Sequence, residues 1–300
     1  MKIYAIVVTY NGLKWYDRCL GSLRDSETPV KTIVIDNASS DGTVEYISAY
    51  YPDVHLIESK ENLGFAKANN MGIRYAIDHD ADYVFLLNQD AWIEKDTLAL
   101  LLQTFELNEN VGIAVPMQLN GSYTGFDQYF ALYTLSNTNL VFDLYMGKMH
   151  NYYEVHDVNA AAWLLSVNCI NIVGGFDTSL FIHYGEDNNY CQRMMYHGFR
   201  ILLCSLCTFC HDREFRKDRE KEYREAMIKR NSFFEDKIKL GNINVEPDID
   251  AMIKQLRNSI LKSYLKLSFK RISLFTAKIE ALRLIKTSRK INKLKGLKWL

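Results

Sequence analysis

The chain has 300 residues, of which 48% are hydrophobic and 24% charged, as is typical of a globular protein with a sizeable core. Its net charge of zero hides an asymmetry: residues 251–300 hold fourteen Lys and Arg against one acid and carry +13, while the first 250 residues hold 22 basic and 35 acidic residues and carry −13. The sequence has no apolar run long enough for a transmembrane helix and no signal peptide at its start. We therefore expect a cytoplasmic protein whose six cysteines are reduced.

The N-terminal part alternates short apolar, β-branched runs with segments of helical spacing. Strands are predicted at 3–9, 32–35, 54–57 and 84–87. Three helices are predicted between them: one at 17–23, one that begins near residue 43, and one that ends near residue 79. This alternation predicts an α/β fold with a mostly parallel, doubly wound sheet and helices on both faces.

Polar side chains follow three of these strands at the point where each strand ends. They occupy Thr9–Asn11, Asp36–Asp41 and Asn88–Asp90. Because the carboxyl ends of parallel strands meet at one edge of a sheet, these groups predict a nucleotide pocket. A dinucleotide is disfavoured, since no Gly-x-Gly-x-x-Gly follows the first strand. The Asp90 carboxylate can hold a divalent cation, which can in turn hold a diphosphate.

Several motifs in chain order resemble the family 2 inverting glycosyltransferases of the GT-A fold, in particular the rhamnosyltransferase-like branch. The matching segments are 8–11, 34–42, 62–66, 86–90, 174–177, 184–187, Cys191 with Arg193, and His211. The resemblance spans about residues 3–213 and implies a glycosyltransferase domain over 1–215. In that domain, residues 1–115 form the nucleotide-sugar half and residues 116–215 the acceptor half. Residues 216–300 form a helical, basic C-terminal region.

The resemblance implies which side chains hold a UDP- or dTDP-sugar donor. They are Thr9, Tyr10, Asn11, Asp36, Asn37, Asp41, Asn62, Gly64, Lys67, Asn69, Asn88 and Gln89. An alternative for the segment from Asp36 to Thr43 is helix capping, and both roles can coexist. Lys67 could equally be a solvated helix residue.

The same resemblance implies a metal site for Mn²⁺ or Mg²⁺ at Asp90 and His211. The family commonly has carboxylates in this motif, whereas Asn88-Gln89-Asp90 offers one charge. We therefore expect weak cation binding until the donor's phosphates supply more oxygens. Cys207 to His211 also matches a haem-attachment pattern, and Cys204 extends it to a zinc cluster, but both readings are disfavoured.

The resemblance also implies that Asp187 is the catalytic base and that Glu186 orients the acceptor. Adjacent carboxylates raise one another's pKa, which suits a base that takes a proton from an acceptor hydroxyl. The alternative is that both acids only complement a helix N-terminus. Asn188-Asn189 stands where the family usually continues with another acid.

Acceptor recognition is predicted in an aromatic-rich segment, residues 120–157, and at Trp163. Aromatic faces stack on sugar C–H surfaces, although a packed cover over the sheet explains the segment equally well. The aromatic residues are Tyr123, Phe126, Tyr129, Phe130, Tyr133, Phe142, Tyr145, Tyr152 and Tyr153. The small residues Ala160–Ala162 before Trp163 are expected to line the sugar site.

The basic C-terminal region predicts a surface anchor. A charged helix is expected over 218–240, ending at Gly241-Asn242, and a second helical stretch follows Glu246-Pro247-Asp248. The basic amphipathic pattern ending in Trp299-Leu300 is typical of a helix lying on an anionic membrane, and no motif favours nucleic acid. The expected location is the inner face of the cell membrane.

The sequence therefore predicts an inverting glycosyltransferase in cell-surface polysaccharide synthesis. It moves a sugar from a nucleotide-diphosphate donor to a hydroxyl of a glycan or lipid-linked acceptor. The alternative is a non-catalytic nucleotide-sugar-binding scaffold, because carboxylates are missing at Asn88 and Asn189. A nucleotidyltransferase is less favoured.

Overall fold

A computed structural model describes residues 1–135, 138–181, 184–213 and 233–300. The strands in these ranges form one sheet in the order β3-β2-β1-β4-β8-β6-β9-β5, with β7 paired to β9. They are β1 (Ile3–Thr9), β2 (Lys31–Asp36), β3 (His55–Glu58), β4 (Tyr83–Asn88), β5 (Ala91–Ile93), β6 (Val111–Asn120), β7 (Tyr152–Val155), β8 (Ala162–Ser166) and β9 (Arg200–His211).

Helices cover both faces of this sheet and continue beyond it. They are α1 (Tyr16–Arg24), α2 (Thr43–Tyr50), α3 (Gly64–Asp78), α4 (Thr97–Leu107), α5 (Gln128–Leu135), α6 (Thr138–Met146), α7 (Val167–Val173), α8 (Glu186–Tyr196), α9 (Phe234–Gly241), α10 (Ile249–Leu265) and α11 (Phe269–Asn292). The predicted α/β architecture is confirmed.

The first four strands in the sheet order, β3-β2-β1-β4, are parallel to their neighbours. Thr9 pairs with Asp36, and Val8 pairs with Asn88. The polar strand ends therefore meet at one edge, as the sequence predicted. On the other side of β4 the sheet is mixed, because β8 runs antiparallel to both β4 and β6.

Strand β1 shows why both faces of the sheet are covered. Its alternate residues Ile3, Ala5 and Val7 pack in the apolar layer that contains Leu20 of α1. Tyr4 and Ile6 point the other way, into the layer that contains Ile73 of α3. A strand apolar on both sides needs a helix on each face, and this sandwich fixes where β1 ends.

The C-terminal helices pack on the sheet domain through an apolar cluster. Leu180 and Phe181 meet Ile253 of α10 and Leu282 and Ile285 of α11 there. The charged helix predicted over 218–240 lies largely outside the described residues. Its described part is α9, which ends at Gly241 as predicted. The second predicted helix begins at Ile249, where the Asp248 side chain accepts a hydrogen bond from the backbone N–H of Ala251.

The end of the chain differs from the prediction. Helix α11 stops at Asn292, and residues 293–300 turn back onto the sheet domain. The Gly175 N–H donates to the Lys298 carbonyl at 2.8 Å, and the Asn70 side chain donates to the Trp299 carbonyl at 2.9 Å. Leu300 packs against the core. Trp299-Leu300 is therefore a docking segment of this domain and not a helix end exposed to a membrane. In the described parts of the chain, no helix has the length and apolar character for a membrane crossing.

Candidate active site

A cleft of about 540 Å³ opens at the edge where the polar strand ends meet. It is lined by residues predicted for the donor, for the metal and for catalysis, so the structure brings these three groups together. Of the predicted residues, the lining includes Tyr10, Asn37, Asn62, Gly64, Asn88, Gln89, Asp90, Glu186, Asp187 and His211.

The ends of β1 and β4 are clamped together by Gln89. The Tyr10 N–H donates to Gln89 Oε1 at 2.9 Å, and Gln89 Nε2 donates to the Tyr10 carbonyl at 3.2 Å. Tyr10 itself is 47% exposed. Its ring is therefore free to meet a ligand while its backbone is held.

Buried Asp36 organises the loop that follows β2. Its carboxylate accepts the Thr9 hydroxyl at 3.0 Å and the Ser39 N–H at 2.9 Å. Thr9 and Asp36 are both almost fully buried and do not line the cleft. The structure thus gives these two predicted donor residues a supporting position behind the cleft wall.

Asn11 and Asp41 tie the first two strand-end loops together. Asn11 Oδ1 accepts the Ser40 N–H at 2.8 Å, and Asp41 Oδ2 accepts the Leu13 N–H at 3.2 Å. Asp41 also accepts the N–H of Thr43, the first residue of α2, at 3.2 Å. The capping alternative therefore describes Asp41 well.

The start of α3 shapes the next part of the wall. Asn37 Oδ1 accepts the Leu63 N–H at 3.0 Å, and Asn62 Oδ1 accepts the Gly64 N–H at 2.9 Å. Lys67 is exposed and Asn69 is buried, with its amide donating to the Phe65 carbonyl. Neither Lys67 nor Asn69 lines the cleft, so the structure does not support the predicted contact of either residue with the donor.

Asp90 and His211 lie side by side because β5 and β9 pair at this point. Ala91 is in register with His211, which sets His211 Nε2 3.4 Å from Asp90 Oδ1. The Asn88 amide lies 3.4 Å from the same imidazole nitrogen. A carboxylate, an imidazole and an amide at a cleft edge form a donor set that suits a divalent cation. The described residues include no group of three or more His, Cys, Asp or Glu side chains that could hold a metal ion. Further oxygens for a cation bound here would therefore have to come from the phosphates of a nucleotide.

The other imidazole nitrogen of His211 is held from behind. Gln118 Nε2 lies 2.8 Å from Nδ1, and Arg213 Nε donates to Nδ1 at 3.2 Å. A guanidinium can only donate, so Nδ1 accepts and Nε2 bears the proton that faces Asp90. A cation at Nε2 would displace that proton.

Glu186 and Asp187 occupy the opposite wall, at the first turn of α8. Gly185 before them has φ +90°, and a Cβ there would lie 2.7 Å from the Phe181 ring. Only glycine fits this position easily, so the turn that aims both acids into the cleft depends on it.

The two carboxyl groups have different surroundings. Glu186 is buried, and its Oε2 has no hydrogen-bond partner among the described residues. Burial, followed by the charge of Asp187, raises the pKa of Glu186 to about 8. Asp187 is half-buried and accepts the Asn188 N–H at 2.9 Å. Burial raises the pKa of Asp187, while this N–H and the charge of Arg213 act in the opposite direction.

Sequence analysis missed two groups beside this pair, Asp157 and Arg213. The Asn188 amide donates to Asp157 at 2.6 Å, and burial, followed by the charge of Asp187, raises the pKa of Asp157 to about 6. Arg213 lines the cleft with its guanidinium 4.9 Å from the Tyr129 ring. The position of Arg213 two residues after His211 was the available signal. Asp157 had none, because it comes from a distant loop.

The predicted role of Trp163 in acceptor binding is not supported by its position in the structure. This residue is fully buried in β8, with its ring stacked 6.1 Å from Phe176, and belongs to the core. Trp163 therefore does not contact an acceptor directly, although Ala160 and Ala161 before it line the cleft.

The described aromatic residues of segment 120–157 have different positions: some are buried, some are exposed, and one lines the cleft. Phe130 and Tyr153 are buried, Tyr123, Phe142 and Tyr145 are exposed, and the side chain of Tyr133 lies outside the described part. Among the aromatic residues of this segment that the structure describes, the cleft lining includes Tyr129.

Comparison with known proteins decides the family. The model of glycosyl transferase family 2 matches residues 4–168. The chain belongs to this family. The mixed, mainly parallel sheet with its helices agrees with GT-A glycosyltransferase structures, and C-terminal helices are also present.

Two relatives with named activities are each 28% identical to the chain. The chain is 28% identical over 200 residues to the dTDP-rhamnosyl transferase RfbF of Shigella flexneri, covering 66% of this chain and 65% of that protein. It is 28% identical over 204 residues to the low-salt glycan biosynthesis hexosyltransferase Agl10 of Haloferax volcanii, covering 67% and 65%. The match thus spans slightly less than two thirds of each relative.

Solved structures agree on the fold. Staphylococcus aureus TarS 1–349 in complex with UDP superposes with a TM-score of 0.53 at 19% identity, covering 71% of this chain and 60% of TarS 1–349. The mannosyltransferase PcManGT of Pyrobaculum calidifontis, in complex with GDP-Man and Mn²⁺, gives a TM-score of 0.55 at 17% identity. That match covers 97% of this chain and 86% of PcManGT.

Proposed function

We propose that this glycosyltransferase transfers a hexosyl or rhamnosyl group with inversion from a UDP- or dTDP-sugar to a hydroxyl of a glycan or lipid-linked acceptor. One observation carries the proposal. A single cleft joins the strand-end residues Asn88, Gln89 and Asp90 to the Glu186-Asp187 pair on the opposite wall. Donor and acceptor groups can therefore meet in it.

The donor class is supported by chemistry and by relatives. Polar strand ends of a parallel sheet offer amide groups to a base and ribose. The name of RfbF specifies dTDP, and TarS has been solved with UDP. We infer a pyrimidine nucleotide in the cleft beside Tyr10 and Asn37.

Asp187 is the base in this proposal. It takes the proton from the acceptor hydroxyl as that oxygen forms a bond to the anomeric carbon of the donor. The bond from this carbon to the phosphate oxygen breaks, and the nucleoside diphosphate leaves with the electron pair. Glu186, with its pKa near 8, stays protonated at neutral pH and donates a hydrogen bond that orients the acceptor.

Asp90 and His211 would hold Mn²⁺ or Mg²⁺ in this proposal. The cation, when bound, neutralises charge on the departing diphosphate. Arg213 also lines the cleft and adds a positive charge on the same side. Its ion pair with Asp127, at 3.7 Å, keeps the guanidinium in place.

The biological setting follows from the acceptor class. We infer a role in cell-surface polysaccharide synthesis at the inner face of the membrane. The names of the relatives support this role, since rhamnosyl transfer and glycan biosynthesis both appear among them.

The alternative is a protein that binds a nucleotide-sugar without turning it over. Asn88 in the metal motif is the observation that favours it, because an amide supplies no charge for a cation. Turnover separates the two functions, since a scaffold releases no nucleoside diphosphate.

Release of nucleoside diphosphate from UDP- and dTDP-sugars tests the proposal, with wild type compared to Asp187→Asn. We expect kcat to fall by about 10²–10⁴-fold in the variant, with nucleotide affinity retained. Asp53→Asn, at an exposed turn outside the cleft, is the matched control and should keep full activity. Full activity of Asp187→Asn would contradict the role of Asp187. Retained anomeric configuration in the product would contradict inversion.

A further inference from the structure

Helices α10 and α11 form a hairpin whose two ends differ in burial. At the base, Ile253 of α10 and Ile279, Leu282 and Ile285 of α11 are buried against Leu180 of the sheet domain. These contacts fix the hairpin to the domain. Its far end has no comparable apolar partner in the described residues.

The hairpin tip, defined as residues 261–274, exposes large apolar side chains. The exposed fractions are 63% for Leu261, 56% for Tyr264, 88% for Leu265, 75% for Leu267, 69% for Phe269 and 55% for Leu274. Contiguous exposure of this kind marks an interaction surface. Leu267 lies in the turn between the helices with φ +51°, at the apex of the tip.

Positive charge surrounds these apolar side chains. Lys262, Lys266, Lys270 and Arg271 belong to the tip, and no acid occurs between Asp250 and Glu280. Among the described residues, none of these four cations forms an ion pair within 4 Å. The described ion pairs of the hairpin lie nearer its base, and they join Lys286 to Asp250, Lys278 to Asp236 and Arg289 to Glu246.

This combination fits a lipid surface better than another partner. Exposed apolar side chains at the end of a helical hairpin, interleaved in sequence with Lys and Arg, match the interface of an anionic bilayer. The acidic body of the chain, at −13 over residues 1–250, is repelled by such a surface and leaves the basic tip as the point of approach. A nucleic acid would gain little from exposed leucines.

We propose that the hairpin tip inserts Leu265, Leu267 and Phe269 into the headgroup region of an anionic lipid bilayer. The proposal is independent of glycosyl transfer. It replaces Trp299-Leu300, which is docked on the sheet domain, as the membrane contact. Phe234 and Ile238 of α9 line the cleft and also pack in the cluster at the hairpin base. The base of the hairpin therefore packs against residues of the cleft wall.

Vesicle co-sedimentation with the full chain tests the proposal. The probes are phosphatidylcholine vesicles with and without phosphatidylglycerol. We expect binding only when phosphatidylglycerol is present. The double variant Leu265→Ser with Phe269→Ser should bind at least about 10-fold more weakly, since removal of apolar side chains from water contributes to membrane binding. Lys266→Gln with Lys270→Gln should weaken binding by about 10-fold or more, since each Lys near an anionic surface contributes to the attraction.

Leu107→Ser on α4 is the matched control, because Leu107 is 69% exposed on the sheet domain. It should bind vesicles as wild type does. Failure of wild type to bind, or equal binding by wild type and the tip variants, would overturn the proposal. Light scattering that shows a wild-type dimer lost in the tip variants, with vesicle binding unchanged, would overturn it in favour of self-association. Nucleotide titration of the same samples shows whether the cleft is intact.

Discussion

At the scale of single residues, two adjacent carboxyl groups, Glu186 and Asp187, have different surroundings. Glu186 is buried, and its Oε2 has no hydrogen-bond partner in the part of the chain that the structure describes, which favours its neutral form. Burial also raises the pKa of Asp187, but Asp187 accepts a backbone N–H and lies within reach of the charge of Arg213, both of which favour its ionised form. A proton shared by the pair is therefore favoured on Glu186, which agrees with the proposed role of Asp187 as the base.

Glu186→Gln should change the pH dependence of stability. The pKa of Glu186 rises from 4.5 in the unfolded chain to about 8 in the folded protein. Between these pH values the unfolded chain releases the proton while the folded protein keeps it, so the free energy of unfolding falls as the pH rises. Relative to the Gln variant, wild type should lose roughly 2 kcal/mol or more of unfolding free energy between pH 5 and pH 8.

Urea denaturation of both proteins at the two pH values measures this difference. The conservative control is Glu27→Gln, an exposed glutamate outside the cleft. Parallel pH profiles for wild type and Glu186→Gln would show that Glu186 is not buried as described.

Sequence patterns predicted which residues line the cleft better than they predicted the surroundings of each residue. Asp90, His211, Glu186 and Asp187 were predicted and line one cleft. The buried position of Asp36 was not predicted, because a motif does not show which carboxylate already accepts hydrogen bonds from neighbouring residues.

At the scale of elements, one close contact fixes helix α3 on strand β1. Gly72 approaches Ile6 so closely that a Cβ at residue 72 would lie 2.6 Å from Ile6 Cγ2. The start of α3 carries Asn62 and Gly64 into the cleft wall. Helix packing and cleft shape are therefore coupled through this contact.

Gly72→Ala should be destabilising although alanine favours helices. Overpacking against Ile6 costs about 1–3 kcal/mol, which exceeds the propensity gain of up to about 1 kcal/mol. Thermal unfolding should show a lower Tm for Gly72→Ala. Gly125→Ala is the control, because no atom of the described residues lies within 4 Å of its added Cβ, and it should leave Tm nearly unchanged. A raised Tm for Gly72→Ala would contradict the close packing.

Local patterns predicted the first four parallel strands but not the central antiparallel one. β1, β2 and β4 contain apolar runs followed by polar ends, which a sequence shows directly. β8 is a short buried run, and its place between β4 and β6 depends on partners far away in the chain. Trp163 was assigned to the sugar site for this reason, since nothing local separates a buried strand from a pocket wall.

At the scale of the whole molecule, Asp177 joins the C-terminal helices to the sheet domain. The Ser288 hydroxyl and the Asn292 amide both donate to Asp177 Oδ2, at 2.5 Å and 2.8 Å. All three side chains are buried. Charge-assisted hydrogen bonds of this kind stabilise by about 1.5–3 kcal/mol.

Asn292→Ala should therefore lower the unfolding free energy by about 2 kcal/mol, because it leaves Asp177 with one donor fewer. Asn258→Ala, at an exposed position on α10, is the matched control and should have little effect. Chemical denaturation measures both variants. Equal stability of Asn292→Ala and Asn258→Ala would show that the hydrogen bonds to Asp177 do not hold the C-terminal region.

Composition revealed the charge asymmetry of the molecule but not how its end is used. The fourteen cations of residues 251–300 suggested a membrane surface and drew attention to Trp299-Leu300. The structure shows the Trp299 ring N–H donating to Asn292 and Leu300 packed on the core. Periodicity cannot show this return of the chain, which depends on backbone contacts with Gly174 and Gly175.

The central claim is that one cleft binds a nucleoside diphosphate beside a cation at Asp90 and His211. Calorimetric titration of the full chain with UDP, dTDP and GDP, each with and without Mn²⁺, tests it most directly. We expect one pyrimidine nucleotide to bind best and its affinity to fall when Mn²⁺ is removed. Absence of binding by all three nucleotides to folded protein would contradict the claim.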